Sequence, residues 1–310
     1  MTSAKTSSLK RAATKKSPAT RGADPWRLQK SANGVTVLQL SAFRKILWLV
    51  HGFSTSHGGA SLLRRDKVLN LGFTEWDTRE TVLQNRRLFQ SAIGAEHLAL
   101  VALKQFHSDV ISDFAHAPAE VCSGDASISN SSNLLLGVQT ADCVPILLVD
   151  PQKRAIAAVH AGWRGTLKRI VAKTIGRMEM QFGTRPANLL AAIGPSIGGC
   201  CYEVGTEVAA AFHSQFPEAP AWFDELRSGD EPNPLQWLNQ FPPGHQPPPK
   251  SVHLDLRKAN RAQLIASGVK AANVFVSDLC TACRPDLLFS YRKDGAESGR
   301  MMAAIGIRTD

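Results

Sequence analysis

The sequence predicts a single α/β domain built on a mixed β-sheet flanked by helices, and three observations lead to that class. The chain is 310 residues long with 44% hydrophobic and 20% charged content, enough apolar material to bury a full core. Short β-branched and apolar runs outnumber the stripes of helical period. Several of these strand-like runs follow one another with no helix between them, which argues for a mixed sheet rather than a strictly alternating parallel one.

Residues 1–22 carry Lys5, Lys10, Arg11, Lys15, Lys16 and Arg21 with no acid, so six of the ten net positive charges sit there. This Ser-, Thr- and Lys-rich stretch lacks the apolar residues that repay ordering entropy, and residues 1–25 are read as a disordered basic tail. A transit peptide shares the composition, but the stretch shows little apolar face for an amphipathic helix. The remaining +4 is ordinary for a soluble enzyme and points to no specific nucleic-acid partner. Residues 26–310 are read as one catalytic domain. No apolar run reaches 18 residues and no secretory core is evident, so the protein is expected in the cytoplasm, with its six cysteines reduced and no membrane partner.

Within the domain, 34–40 and 46–50 read as strands and 51–60 as a loop rich in Gly, Ser and Thr. From 78 to 93, Val82, Leu83, Leu88, Phe89 and Ala92 recur at helical spacing up to Gly94. Strands follow at 98–103, 134–139, 146–149 and 155–159. Leu167, Ile170, Val171, Ile175 and Met178 form the apolar stripe of a helix. Residues 206–216 read as another, whose His213 is expected to be a surface or core histidine rather than a ligand. The segment 217–250 holds nine prolines and is read as an irregular excursion rather than a boundary, because strand and helix signals resume at 252–256 and 257–267.

The chemistry concentrates around a hairpin. Pro-Gln-Lys-Arg at 151–154 supplies a turn between apolar strands; if Asp150 pairs with Ala155, Cys143 falls opposite position 162, two residues from His160. Diagonal neighbours of this kind share one sheet face at about 7 to 8 Å, close enough for a thiolate and an imidazole to hold one metal ion. A third ligand is needed, and spacing does not choose it among the other histidines. Ala161-Gly-Trp-Arg-Gly-Thr166 ends a strand and opens a helix, where free N–H groups and Arg164 suit a phosphate. The Gly-rich turn at 194–199 could approach a ligand with its backbone. Cys280-Thr-Ala-Cys283 has redox or zinc-knuckle spacing, but no second Cys-x-x-Cys pair or thioredoxin-like context accompanies it.

Gln105-Phe-His107, Gly124-Asp-Ala126, Gln139-Thr-Ala-Asp-Cys143-Val-Pro145 and His160-Ala-Gly-Trp-Arg-Gly-Thr166 occur in that order. They are followed by 194–204, Cys280-Thr281, Phe289 to Asp294 and Ser298-Gly-Arg300. Together they make residues 45–310 resemble the multicopper polyphenol oxidase or laccase-domain family, also described as YfiH-like purine nucleoside phosphorylases. The resemblance implies a YfiH-like fold and a zinc site of His107, Cys143 and His160, in which copper is also conceivable. It implies a monomer or homodimer that phosphorolyses adenosine, inosine, guanosine and methylthioadenosine and deaminates adenosine. Three protein ligands leave an open position, where activated water would account for deamination. Cys143, Arg164 and Asp142 are the candidate catalytic residues, with Asp142 or Glu203 as proton shuttle, since the Glu-bearing signature of other zinc deaminases is missing. Two departures stand out: Ser-His57-Gly-Gly where the family has an Arg before Gly-Gly, and Gln105-Phe-His-Ser108 for Gln-Val-His-Gly. If that Arg holds phosphate in the family, its job falls here to His57, Arg64 or Arg65, or phosphorolysis is weakened. The rival readings are a cysteine- or metal-dependent hydrolase of peptidoglycan precursors, with Cys143 and His160 as nucleophile and base, a copper-dependent polyphenol oxidase, and a nucleotide-binding module without turnover.

Overall fold

A computed structural model describes residues 25–224 and 252–308. The tail at 1–24 and most of the Pro-rich excursion, 225–251, lie outside the described residues. Two six-stranded mixed sheets, rather than one, stack face to face. In the first, Trp26–Lys30, Thr36–Leu40, Leu49–Ser54, Met301–Ile307, Leu134–Thr140 and Ala99–Ala102 lie side by side in that order. In the second the order is Val274–Val276, Leu190–Ile193, Val144–Asp150, Ala155–Ala161, Ala126–Ser129 and Ile111–Asp113. Parallel pairs occur only at edges of these sheets; the inner pairs are antiparallel.

The apolar runs dictate this layering. All seven residues of Val144–Asp150 are buried, as expected for a strand covered on both faces. Its odd-numbered Leu147 and Val149 join Ile156 and Ala158 against Phe53, Leu136 and Ile305 of the first sheet. Its even-numbered Ile146 and Leu148 face Val171, Ile175 and Met178 of the helix Ile170–Phe182, together with Leu256 and Leu264 of the helix Leu256–Ala266. On the far side, Phe89 and Ile93 of the helix Arg79–Ile93 cover Val50, Leu135 and Ala304. The result is four layers, helix, sheet, sheet, helix.

The hairpin register is the expected one: Asp150 pairs with Ala155 and Val144 with Ala161. The helix at 79–93 is capped by the Thr78 hydroxyl, which accepts from the Thr81 N–H, and ends at Gly94 with φ +70°. Three expectations are corrected. Residues 51–60 are not a loop: the third strand runs through Ser54 and another covers His57–Leu63. His51 and Ser54 belong to the buried middle of a sheet, where the His51 ring accepts the Leu40 N–H at 2.9 Å. The stripe expected as one helix divides at Arg169, whose φ of +62° separates Trp163–Leu167 from Ile170–Phe182. The start of the excursion folds as a 3-10 turn, Ala219–Trp222, and the short strand Phe223–Asp224. Among the described residues no helix is long and apolar enough to cross a membrane.

Candidate metal centre and its pocket

His107, Cys143 and His160 converge where the hairpin meets the loop after Ala99–Ala102. The Cys143 Sγ lies 3.6 Å from His107 Nε2, and the ligand atoms of the three residues all lie within 4.8 Å of one another. The two imidazoles meet edge to face with centroids 5.0 Å apart. Zinc bonded to sulfur at about 2.3 Å and to nitrogen at about 2.0 Å would set those two donors about 3.5 Å apart, so the set fits a tetrahedral ion. Gly162 is required beside them, because a Cβ there would sit 2.8 Å from the His107 ring and 3.0 Å from the Cys143 sulfur.

Asp125, fully buried, organises the triad. Its Oδ1 meets His160 Nδ1 at 2.8 Å, leaving Nε2 as the free ligand atom, and also accepts the His107 N–H at 3.1 Å. Its Oδ2 accepts the Ser108 N–H and hydroxyl, both at 2.6 Å. Burial opposes its ionisation, but the hydrogen bonds from His160 and Ser108 outweigh it and hold the carboxyl well below the usual range. Burial likewise opposes charge on Cys143 and His160, yet their mutual attraction prevails. Together with hydrogen bonds, it pulls the thiol down to about 6 and lifts the imidazole to about 9. A thiolate beside histidine is the state that binds a metal, and also the state of a cysteine nucleophile. His107 and Asp142 have φ of +62° and +93°. Such strain persists where surrounding bonds over-determine it, as Thr281 Oγ1 and the Arg292 N–H do here, each donating to one Asp142 oxygen at 2.6 Å.

The triad opens into a pocket of about 950 Å³. Arg79, Arg86, Arg164, Arg292, Arg300 and Lys104 line it against a single carboxylate, Asp142. Arg79 and Arg86 flank the Phe73 ring, Arg164 covers Trp163, and Arg300 covers Tyr291. None of these five arginines forms an ion pair among the described residues, so the pocket carries uncompensated positive charge. Burial and the neighbouring Arg79 push Arg86 down to about 10. Trp163, Tyr202 and Tyr291 supply aromatic surface. Tyr202 is pushed up to about 12 by burial and the nearby Cys143 charge, which keeps its O–H a donor.

The sequence-predicted residues distribute unevenly. Arg164 lines the pocket, but the helix that follows His160 spans only Trp163–Leu167 and offers a weak dipole. Asp142 lines it with both oxygens already engaged. Glu203 is exposed on the short strand Glu203–Val204, outside the lining. The Gly-rich turn packs behind the site, with Ile197 N–H on the Asp142 carbonyl. The stand-ins for the missing Arg are elsewhere: His57 meets the Asp286 carbonyl, Arg64 pairs with Asp294 and Glu297, and neither they nor Arg65 line the pocket. Arg79, Arg86, Arg292 and Arg300 occupy it instead. Arg292 and Arg300 lay inside strings that carry the resemblance, whereas no motif marked Arg79 and Arg86.

A family model described as multi-copper polyphenol oxidoreductase laccase matches residues 50–308. The purine nucleoside phosphorylase YlmD of Geobacillus stearothermophilus is 33% identical over 273 residues, 84% of this chain and 91% of its own. The adenosine deaminase RL5 of an unknown prokaryotic organism is 35% identical, covering 85% of this chain and 96% of its own. The crystal structure of the Bacillus licheniformis hypothetical protein YfiH superposes with a TM-score of 0.77 at 27% identity, covering 92% of this chain and 99% of the other.

Proposed function

The chain belongs to the multi-copper polyphenol oxidoreductase laccase family, and from that premise we propose that it is a zinc-dependent purine nucleoside phosphorylase acting on adenosine, inosine, guanosine and methylthioadenosine. The proposal includes a cytoplasmic enzyme, monomeric or homodimeric, whose catalytic domain begins near residue 26. One observation carries it: a single pocket joins the His107, Cys143 and His160 set to five arginines without carboxylate partners and to three aromatic rings. Uncompensated guanidinium charge calls for an anion, and the rings call for a planar base.

In this reading a phosphate oxygen attacks the ribose C1′ as the bond from C1′ to the purine nitrogen breaks, giving the free purine and ribose 1-phosphate. Arg164 and the Arg79, Arg86 and Arg300 wall neutralise and orient phosphate, which has to approach another electron-rich molecule. Trp163, Tyr202 and Tyr291 hold the base, and the Tyr202 hydroxyl is a protonated donor beside it. Asp142 keeps Cys143 and Arg292 in place through its two occupied oxygens. His107, Cys143 and His160 would hold zinc, which supplies Lewis acidity beside the reacting centre. Adenosine deamination is a second activity of the same pocket, favoured by the likeness to the deaminase. A four-copper oxidase finds less support: among the described residues the triad is the one cluster containing histidine.

The test is adenosine with and without phosphate, every product identified by chromatography. Adenine and ribose 1-phosphate are expected only with phosphate, and inosine without it. Arg164→Ala should lower phosphorolysis at least ten-fold more than deamination, because it removes an anion partner alone. Equal loss of both would make Arg164 structural. Turnover of neither, with zinc present, would overturn the reading and turn attention to muramyl peptides as hydrolase substrates.

A further inference from the structure

The geometry points to a second metal site, in which Cys200, Cys201, Cys280 and Cys283 hold one zinc ion as a tetrathiolate. The four sulfurs come from two segments some 80 residues apart and all lie within 4.8 Å of one another. Cys200 Sγ is 3.5 Å and Cys201 Sγ 3.4 Å from Cys283 Sγ. A tetrahedral ion with bonds of about 2.3 Å to sulfur sets its ligands about 3.8 Å apart, so small adjustments convert the cluster into a coordination shell. A disulfide would require about 2.05 Å, and all four are free thiols. Four soft sulfur donors in a compact set select zinc over the harder divalent cations.

The surroundings match a thiolate site as well as the sulfurs do. Cys280 and Cys283 have the two-residue spacing common in zinc knuckles. The Cys280 Sγ accepts the Gly198 N–H at 3.2 Å, the backbone hydrogen bond that anionic sulfur calls for. Gly198 leaves room for this: a Cβ there would lie 2.6 Å from the Arg257 guanidinium and 3.2 Å from Cys200 Sγ. The two segments are already pinned together by the bridge between Ser196 and Cys280 and by Thr281 N–H on the Ser196 carbonyl. Binding of one zinc ion would displace a proton from each thiol that is protonated.

The site is structural in character, since four protein ligands leave no open position. It lies beside the pocket without lining it. Tyr202 follows directly on Cys201, and the Arg292 guanidinium covers the Tyr202 ring and bonds the Glu203 carbonyl at 2.9 Å. A tetrathiolate would therefore clamp the segment that delivers Tyr202 to that which delivers Arg292.

The experiment measures zinc in the full chain, expressed in zinc-replete medium and purified with reductant. About two zinc ions per chain are expected. Cys143→Ser should leave about one, and Cys280→Ser with Cys283→Ser should also leave about one, while the two sets combined leave none. This readout does not depend on turnover of any nucleoside, so a failure of the phosphorylase reading leaves it intact. Where the double variant fails to fold, cobalt titration of the chelator-stripped wild-type chain decides. The intense sulfur-to-cobalt absorption of a tetrathiolate should develop and then vanish on adding zinc. The proposal is overturned if wild type holds a single zinc that Cys143→Ser abolishes. It is equally overturned if cobalt gives only the weak spectrum of one thiolate, or if alkylation of the unreduced, denatured protein finds a disulfide among these four.

Discussion

At the scale of single residues, the centre depends on a carboxylate that is not itself one of the three ligands. Asp125 fixes the His160 ring and takes the backbone N–H groups of His107 and Ser108, so it orients one imidazole and anchors the backbone that carries the other. Asp125→Asn is expected to weaken zinc affinity by 10- to 100-fold, measured by competition with a chromophoric chelator, the usual loss when a histidine's outer partner is neutralised. Unchanged affinity would show that the triad is set by packing alone. Sequence spacing paired Cys143 with His160 on the condition that Asp150 faces Ala155, which is the register observed. It did not choose His107, which is 36 residues away on a loop, and that residue came from the resemblance. The vicinal Cys200 and Cys201 do not have the spacing of a ligand pair, and for that reason Cys280-Thr-Ala-Cys283 had no visible partner.

At the scale of elements, the helix Arg79–Ile93 serves two surfaces. Phe89 and Ile93 seal the outer face of the first sheet, while Arg79 and Arg86 reach the pocket from its opening turns. Its first turn is capped only by the Thr78 side chain. Thr78→Ala should cost about 1 kcal/mol in denaturant unfolding, and Thr78→Ser should restore most of it. Identical midpoints for wild type and Thr78→Ala would show that the cap carries no weight. The helix was legible because its stripe is long and ends in Gly94. Less legible were Trp26–Lys30, with four of five residues exposed, and His57–Leu63, a mostly half-buried ribbon with adjacent glycines. Neither shows the alternation that marks a half-buried strand.

At the scale of the whole molecule, two stacked sheets require several polar groups inside, and His51 is one whose charge state is fixed by the fold. Burial, and secondarily Arg44, lower it from 6.5 to about 3, and the neutral ring accepts the Leu40 N–H. Between those values the unfolded chain takes up a proton that the folded chain refuses, so stability is full above pH 6.5 and falls as pH drops towards 3. The loss is of the order of a few kcal/mol. His51→Gln should flatten stability against pH between 6.5 and 4 relative to wild type; parallel curves would sink the assignment. That two sheets exist rather than one was not legible, because a strand buried on both faces reads the same whether a helix or another sheet covers it. Met301–Ile307 lies at the middle of the first sheet, between Leu49–Ser54 and Leu134–Thr140. During synthesis, strands made early thus wait with open edges for a partner made long after them, and Arg300, just ahead of that partner, enters the pocket only then. The growing chain consequently has an incomplete pocket and is prone to stick to its neighbours until that strand emerges, so its yield in cells should track chaperone supply more closely than its final stability.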